Sequence, residues 1–271
     1  MGPKSSNAVH ATKSKGTVLL SFTRDLVVTL LLWGYFLFGF ILFFSPFYLI
    51  AFVCPPIREM AVQCLNSLFY KGFFLLLRML MPGLTLHIDP KIKDLENGII
   101  VCNHVSYLDP LMMISLFQRH KTIVKATFFK VPVFGWVIRA AGYIPSMPKG
   151  RMAGLMVKQT RSLSAFFQKG GILFVFPEGT RNRNAGKGTL AFHSGVFKIA
   201  RFSRAPINVL VIRNTDRVFT PGRFLFHTDF SGTIRVELAG RIQPDYDRQT
   251  VSTAGLMEEA ARILTEKQED I

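Results

Sequence analysis

The stretch Gly98–Pro110, GIIVCNHVSYLDP, decides the fold. Its first five residues form an uncharged apolar run of the β type. Asp109 followed by Pro110 reads as a helix start, with Asp as the N-cap and Pro at the first helical position. A buried strand, a short polar loop and a helix in succession are the repeating unit of an α/β domain. The loop carries Asn103 and His104. His104 is either an ordinary loop residue or, positioned by Asp109, a general base.

Working outward, short apolar runs recur at Leu84–Ile88, Thr122–Lys125, Ile172–Phe176, Ile207–Ile212 and Thr233–Leu238. Helical patterns lie between them. The clearest is Arg151–Gln168, where Met152, Leu155, Met156, Leu163, Phe166 and Phe167 share a face and Gly170-Gly171 ends the helix. Another runs from Val251 to Glu266. This alternation predicts an α/β fold, a mostly parallel sheet flanked by helices. No internal repeat is present.

Ahead of that domain, Leu26 through Ile57 contains no charged residue, long enough to cross a hydrocarbon core of about 20 apolar residues. Its all-round hydrophobicity, with Trp33, Tyr35 and Tyr48, fits lipid better than a buried core helix. The chain therefore divides into a polar, basic and disordered stretch (1–16), a hydrophobic helical membrane anchor (17–80) and a catalytic domain (81–271). Lys4, Lys13, Lys15 and Arg24 precede the apolar stretch, whereas Arg58, Lys71 and Arg78 follow it. A re-entrant or two-helix anchor broken at Pro46 keeps both basic flanks on one side. The positive-inside rule then puts the catalytic domain on the cytoplasmic face.

The composition narrows the partners. The net charge of +16 suits nucleic acid, an anionic membrane or an anionic substrate. Nucleic acid is excluded as a partner, since there is no zinc-finger spacing, RNP-type strand or basic heptad helix. The 26 Phe point to lipid. Cys54, Cys64 and Cys102 are odd in number and widely spaced, so neither a disulfide framework nor a metal site follows. Cys102 sits in an apolar run and reads as a buried structural thiol.

A second loop, PEGTRNRNAGKG (Pro177–Gly188), follows the apolar run ending at Phe176. It sets Arg181, Arg183 and Lys187 around Glu178. Loops after parallel strands are where α/β folds place ligands, and a basic Gly-containing loop suits an anion.

Together, NHVSYLD (Asn103–Asp109) and FPEGTR (Phe176–Arg181) resemble two blocks of the glycerolipid acyltransferase family, which includes the 1-acylglycerol-3-phosphate acyltransferases. KATFFKVPVFGWVIRAAGYI (Lys125–Ile144) is similar to the block between them, and FHSGVFKIARFSRAPI (Phe192–Ile207) to the segment that follows. The resemblance implies a membrane-bound O-acyltransferase that moves a fatty acyl chain from acyl-CoA or acyl carrier protein to a lysolipid hydroxyl. The foremost acceptor is 1-acylglycerol 3-phosphate, giving phosphatidate. It implies His104 as the base and Asp109 as its orienting acid. Asn103, Lys125, Glu178, Gly179, Thr180 and Arg181 are implied to bind substrate, with Arg181 on a phosphate. No bound cofactor or metal is implied; the partners are membrane lipid, lysolipid acceptor and acyl donor.

The chemistry needs no enzyme nucleophile, because a thioester is already activated. It needs only a base for the attacking hydroxyl, and an imidazole suits that task near neutral pH. The absence of a G-x-S-x-G sequence is consistent with this. Phe128, Phe129, Phe134 and Trp136 read either as core or as an acyl groove. Two departures from the family pattern leave other acceptors open, among them a lysophospholipid or lyso-aminolipid. Pro148 stands where the second block has an Arg, with Lys149 and Arg151 beyond it, and Val209 replaces a second Pro of the fourth. A lipid or thioester hydrolase and a catalytically silent lipid-binding protein are the remaining alternatives.

Overall fold

The computed structural model describes residues 15–181, 191–247 and 251–269. Residues 1–14 of the polar N-terminal stretch lie outside these, as do Arg183 and Lys187 of the second loop. The described chain opens with α1 (Lys15–Gly34), a π-helical stretch (Tyr35–Phe44), α2 (Ser45–Val53) and α3 (Arg58–Leu80). Then follow β1 (Leu84–Ile88), β2 (Gly98–Cys102), α4 (Leu108–Leu116), β3 (His120–Lys125), α5 (Phe134–Ala140) and β4 (Ile144–Ser146). The remaining elements are α6 (Arg151–Arg161), α7 (Leu163–Gln168), β5 (Ile172–Val175), α8 (Gly195–Ser203), β6 (Ile207–Arg213), α9 (Thr215–Val218), β7 (Gly232–Ile242) and α10 (Thr253–Glu269).

The strands form one sheet in the order β1-β7-β6-β2-β5-β3-β4. The five from β6 to β4 run parallel, whereas β7 and β1 run the opposite way. The sheet is therefore mostly parallel and flanked by helices, as expected. The opening stretch supplies its central strand. Ile99 and Val101 of β2 face a core shared with α7, α8 and α10, while Ile100 and Cys102 face one shared with α3 and α4. All four are fully buried, which is why that run is apolar at every position rather than alternating.

Two elements differ from the sequence expectation. The helix expected over Arg151–Gln168 breaks at Ser162, whose hydroxyl donates to the Gln159 carbonyl at 2.8 Å and competes with the helical ladder. Strand β4 was not expected; it has three residues and contains Pro145, which is tolerated because β4 is a sheet edge.

In the N-terminal region the helix does not stop at Pro46. A proline lacks the N–H that the α-ladder needs and crowds the preceding turn. The widened π turn before it absorbs that defect: the Ser45 N–H reaches the Phe40 carbonyl, and the Ser45 hydroxyl donates to Ile41 O at 2.6 Å. The chain instead reverses at Cys54–Ile57, where Pro55-Pro56 ends the run. The result is a helical hairpin of α1–α2 against α3. Its two arms, Val18–Val53 and Arg58–Leu80, are each long and apolar enough to cross a membrane; the first is only 22% buried over its most apolar window.

Both ends of that hairpin are fastened to the sheet domain. Near its root, Asp25 accepts from the Thr228 backbone N–H (2.8 Å) and hydroxyl (2.5 Å), and Arg24 pairs with Asp229. At its tip, Glu59 of α3 pairs with the buried Lys121 of β3 at 2.9 Å. Between them, Tyr48 donates to Asn66 at 2.5 Å and Gln63 donates to Ala141 O at 2.8 Å. The hairpin lies along the domain with its other side exposed.

Candidate active site

The site lies where the C-terminal ends of β6, β2 and β5 meet. Asn103 follows β2 directly. Its side-chain nitrogen donates to Ile212 O at 2.8 Å and its oxygen accepts from Ile212 N at 2.7 Å. The amide thus extends the β2–β6 ladder by one rung and fixes the exit direction of the loop. The nitrogen and the oxygen of this buried side chain each bond backbone, which gives Asn103 a structural role beside the substrate role expected of it.

His104 then projects with its ring stacked on Phe176, centroids 4.4 Å apart. Its Nδ1 lies 2.9 Å from Asp109 Oδ2. An ionised carboxylate only accepts, so Nδ1 carries the proton and Nε2 keeps its lone pair. The imidazole is 17% exposed while Asp109 is wholly buried. Among the described residues Nε2 makes no hydrogen bond.

Asp109 is not the N-cap. Helix α4 begins at Leu108 with Tyr107 before it, so Asp109 is the second helical residue. Instead of capping forward, its carboxylate reaches back: Oδ2 accepts from Val105 N (2.6 Å), Ser106 N (2.7 Å) and His104, and Oδ1 accepts from Thr215 Oγ1 (2.5 Å). Ser106 braces the loop from outside by donating to Phe219 O at 2.7 Å. Thr215, absent from the residues read from sequence, opens α9 directly after β6. Its signal was its place: a hydroxyl just past a strand that neighbours β2.

Two neighbouring acids feel this charge. Burial, and then the charge of Asp109, push the Asp216 carboxyl above its ordinary range. Burial likewise pushes the Cys102 thiol well up, with Asp109 and Glu178 adding to it. Cys102 is a protonated, buried thiol donating to Val175 O, in keeping with a structural role.

The second loop leaves β5 beside the first. Glu178 is buried, whereas Gly179 and Thr180 are exposed. Gly179 has φ +64°, and its N–H closes a turn onto Phe176 O at 3.0 Å. A Cβ there would lie 2.7 Å from the His193 ring, whose backbone N–H bonds Pro177 O at 2.8 Å. Only glycine combines that turn with that close approach. Arg181 crosses to the first loop, its guanidinium carbon 3.6 Å from the centroid of the Tyr107 ring. Its Nη1 is buried without a hydrogen-bond partner among the described residues.

The structure thus brings His104, Asp109, Glu178, Gly179, Thr180 and Arg181 to one place. Lys125 stands apart, exposed at the C-terminal end of β3 and two strands from β2, about 10 Å across the sheet. Lys149 is exposed after β4, one strand farther. Of the aromatic residues read as core or groove, Phe129 is core; Phe128, Phe134 and Trp136 are 45%, 40% and 62% exposed, neither core nor enclosed groove. No group of three or more metal-binding side chains occurs among the described residues.

The acyltransferase family pattern matches residues 83–213, from the start of β1 to the end of β6. The chain is 32% identical over 124 residues to a chloroplastic 1-acyl-sn-glycerol-3-phosphate acyltransferase of Brassica napus, covering 46% of this chain and 35% of that one. It is 30% identical over 151 residues to the 1-acyl-sn-glycerol-3-phosphate acyltransferase of Saccharomyces cerevisiae, covering 53% and 49%. The match thus spans about a third to a half of these relatives' length. The crystal structure of the 1-acyl-sn-glycerophosphate acyltransferase from Thermotoga maritima superposes with a TM-score of 0.70 over 92% of this chain and 97% of that one, at 21% identity. The fold shared with that structure therefore extends over the helical hairpin as well. Thr215 falls just past the matched segment.

Proposed function

We propose that the chain transfers a fatty acyl group from a thioester donor, acyl-CoA or acyl carrier protein, to the free hydroxyl of 1-acylglycerol 3-phosphate. The observation that carries this reading is the His104–Asp109 pair, with Nε2 left as the open base and Arg181 held over Tyr107 three residues away. As the acceptor oxygen attacks the thioester carbonyl, His104 Nε2 takes its proton. Asp109, buried and charged, stabilises the imidazolium that forms. Collapse of the tetrahedral intermediate expels the thiolate, which recovers a proton from His104. The buried Nη1 of Arg181, without a hydrogen-bond partner among the described residues, supplies a charge-assisted donor for the acceptor phosphate. Lys125 sits at the rim, where a second cation draws in an anionic substrate.

The helical hairpin fits the membrane lying down rather than crossing it. Its root and tip are both fastened to the catalytic domain, so a full crossing would drag that domain into lipid. The exposed apolar side of α1 and α2 faces the acyl chains, and the domain stays on one face, read as the cytoplasmic one.

The test is an acceptor panel with labelled acyl-CoA and purified protein in lipid vesicles. 1-Acylglycerol 3-phosphate is the expected acceptor. Preferential acylation of a lysophospholipid without a terminal phosphate would move the assignment, and free fatty acid released without acceptor would make the protein a hydrolase.

A further inference from the structure

The segment Ala126–Ala140 forms a knuckle that neither the catalytic pair nor the hairpin explains. A 3-10 turn (Ala126–Lys130) leads into α5 through Val131, Pro132 and Val133. Val133 has φ +61° and ψ −61°, and the Phe134 N–H bonds the Pro132 carbonyl at 2.6 Å. That is a γ-turn with a positive central φ, a strained form, and its centre here is a β-branched residue. Strain of this kind persists only where the surroundings enforce it. Gly135 does so, since a Cβ there would meet the Phe129 carbonyl at 2.4 Å, and Arg139 closes the turn from below by donating to Gly135 O at 3.0 Å.

The enforced turn serves to display apolar side chains. Phe128, Val131, Val133, Phe134 and Trp136 are all 40–62% exposed, and the Phe128 and Phe134 rings pack edge to face at 5.9 Å. Burying them inward was available to the sequence, because Phe129 and Ile138 of the same segment do enter the core. That core is the one shared with Tyr48 and Ala51 of α2, so the knuckle is continuous with the apolar hairpin. Exposed Lys125, Lys130 and Arg139 flank it. A contiguous apolar patch rimmed by cations and continuous with the apolar hairpin fits an anionic lipid surface.

We propose that this knuckle is a second membrane contact, at which Val133, Phe134 and Trp136 enter the acyl region of an anionic bilayer while the flanking cations stay among its headgroups. It rests on the membrane reading of the hairpin. With hairpin and knuckle both seated, the rim carrying Lys125 is held at the level of a lysolipid headgroup, and the acceptor reaches the site without leaving the membrane.

The chain has two tryptophans, Trp33 in α1 and Trp136 in the knuckle, so two single-tryptophan proteins separate the claims. The full-length Trp33→Phe variant (reporting Trp136) and the Trp136→Phe variant (reporting Trp33) are placed in anionic vesicles containing lipids brominated on the acyl chain. Both are expected to lose most of their emission, and Trp136 to recover it when Val133→Asp is added. Quenching of Trp33 alone overturns the knuckle contact and leaves the hairpin reading standing. Quenching of neither overturns both. Quenching of Trp136 only on adding brominated acyl-CoA assigns the patch to the donor's acyl chain and overturns the lipid contact. None of these readouts depends on catalysis, so a failed acyl-transfer assay is a separate result.

Discussion

Replacing Asp109 by Asn isolates what the buried charge contributes to transfer. The carboxylate accepts four hydrogen bonds, three of them at Oδ2. An amide that places its oxygen at the Oδ2 position keeps the two backbone bonds and the imidazole bond. Its NH2 then faces Thr215, whose hydroxyl turns to accept. The reverse orientation aims NH2 at two N–H donors and is rejected. The tautomer of His104 therefore survives, and only the charge is lost. With the imidazolium and carboxylate charge centres about 4 Å apart at an effective dielectric near 20, that charge stabilises the transition state by about 4 kcal/mol. The expected loss in kcat is about 10³-fold. KM for both substrates stays unchanged, because a wholly buried side chain touches neither. Initial rates with labelled acyl-CoA, together with a melting curve showing a folded protein, measure this. A kcat within tenfold of wild type in folded Asp109→Asn would refute the electrostatic role given to Asp109.

Three further perturbations probe other parts. Arg181→Ala is expected to raise KM for the phosphorylated acceptor about 10–100-fold, the worth of one hydrogen bond to a charged group, with a smaller change in kcat; an unchanged KM removes Arg181 from the phosphate. Gly179→Ala forces a left-handed residue and a Cβ onto His193, costing about 1–2 kcal/mol of stability and raising acceptor KM; a melting curve and KM identical to wild type would contradict the role given to the turn. Burial lowers the His120 pKa from 6.5 to about 4, with Nδ1 donating to Phe117 O and Nε2 accepting from Tyr143. Below pH 6.5 the unfolded chain binds a proton that the folded state refuses, so stability falls as pH drops toward 4, by about 3 kcal/mol in all. His120→Phe is expected to flatten that part of the stability–pH curve, and an unaltered slope would contradict it.

What the sequence revealed and what it hid divide along physical lines. Strand β2 was legible because a strand buried on both faces has no polar position to blur its ends, and the helical anchor because its uncharged apolar run is long. Strand β4 was hidden, since three residues with a proline carry no pattern; only its place at the sheet edge permits them. The continuation through Pro46 was hidden because it depends on a π turn made by Ser45 and Phe40, which propensity does not encode. In the site, residue type and spacing left His104 open as an ordinary loop residue, and its pairing with Asp109 was read from the resemblance of NHVSYLD and FPEGTR together; the two side chains do lie within hydrogen-bond reach. The backbone role of Asn103 was hidden because its partner, Ile212, lies 109 residues away on a strand whose adjacency only the sheet order reveals. Thr215 was missed for the same reason: a residue that supports an acid through space leaves no local signature.

The most direct measurement is acyl transfer by purified His104→Ala in lipid vesicles, with labelled acyl-CoA and 1-acylglycerol 3-phosphate, beside wild type. The proposed chemistry predicts that wild type forms the diacylated product only when acceptor is present, and that a folded His104→Ala protein is slower by about 10²–10⁴-fold, the usual contribution of a general base. Turnover by folded His104→Ala close to that of wild type would contradict it.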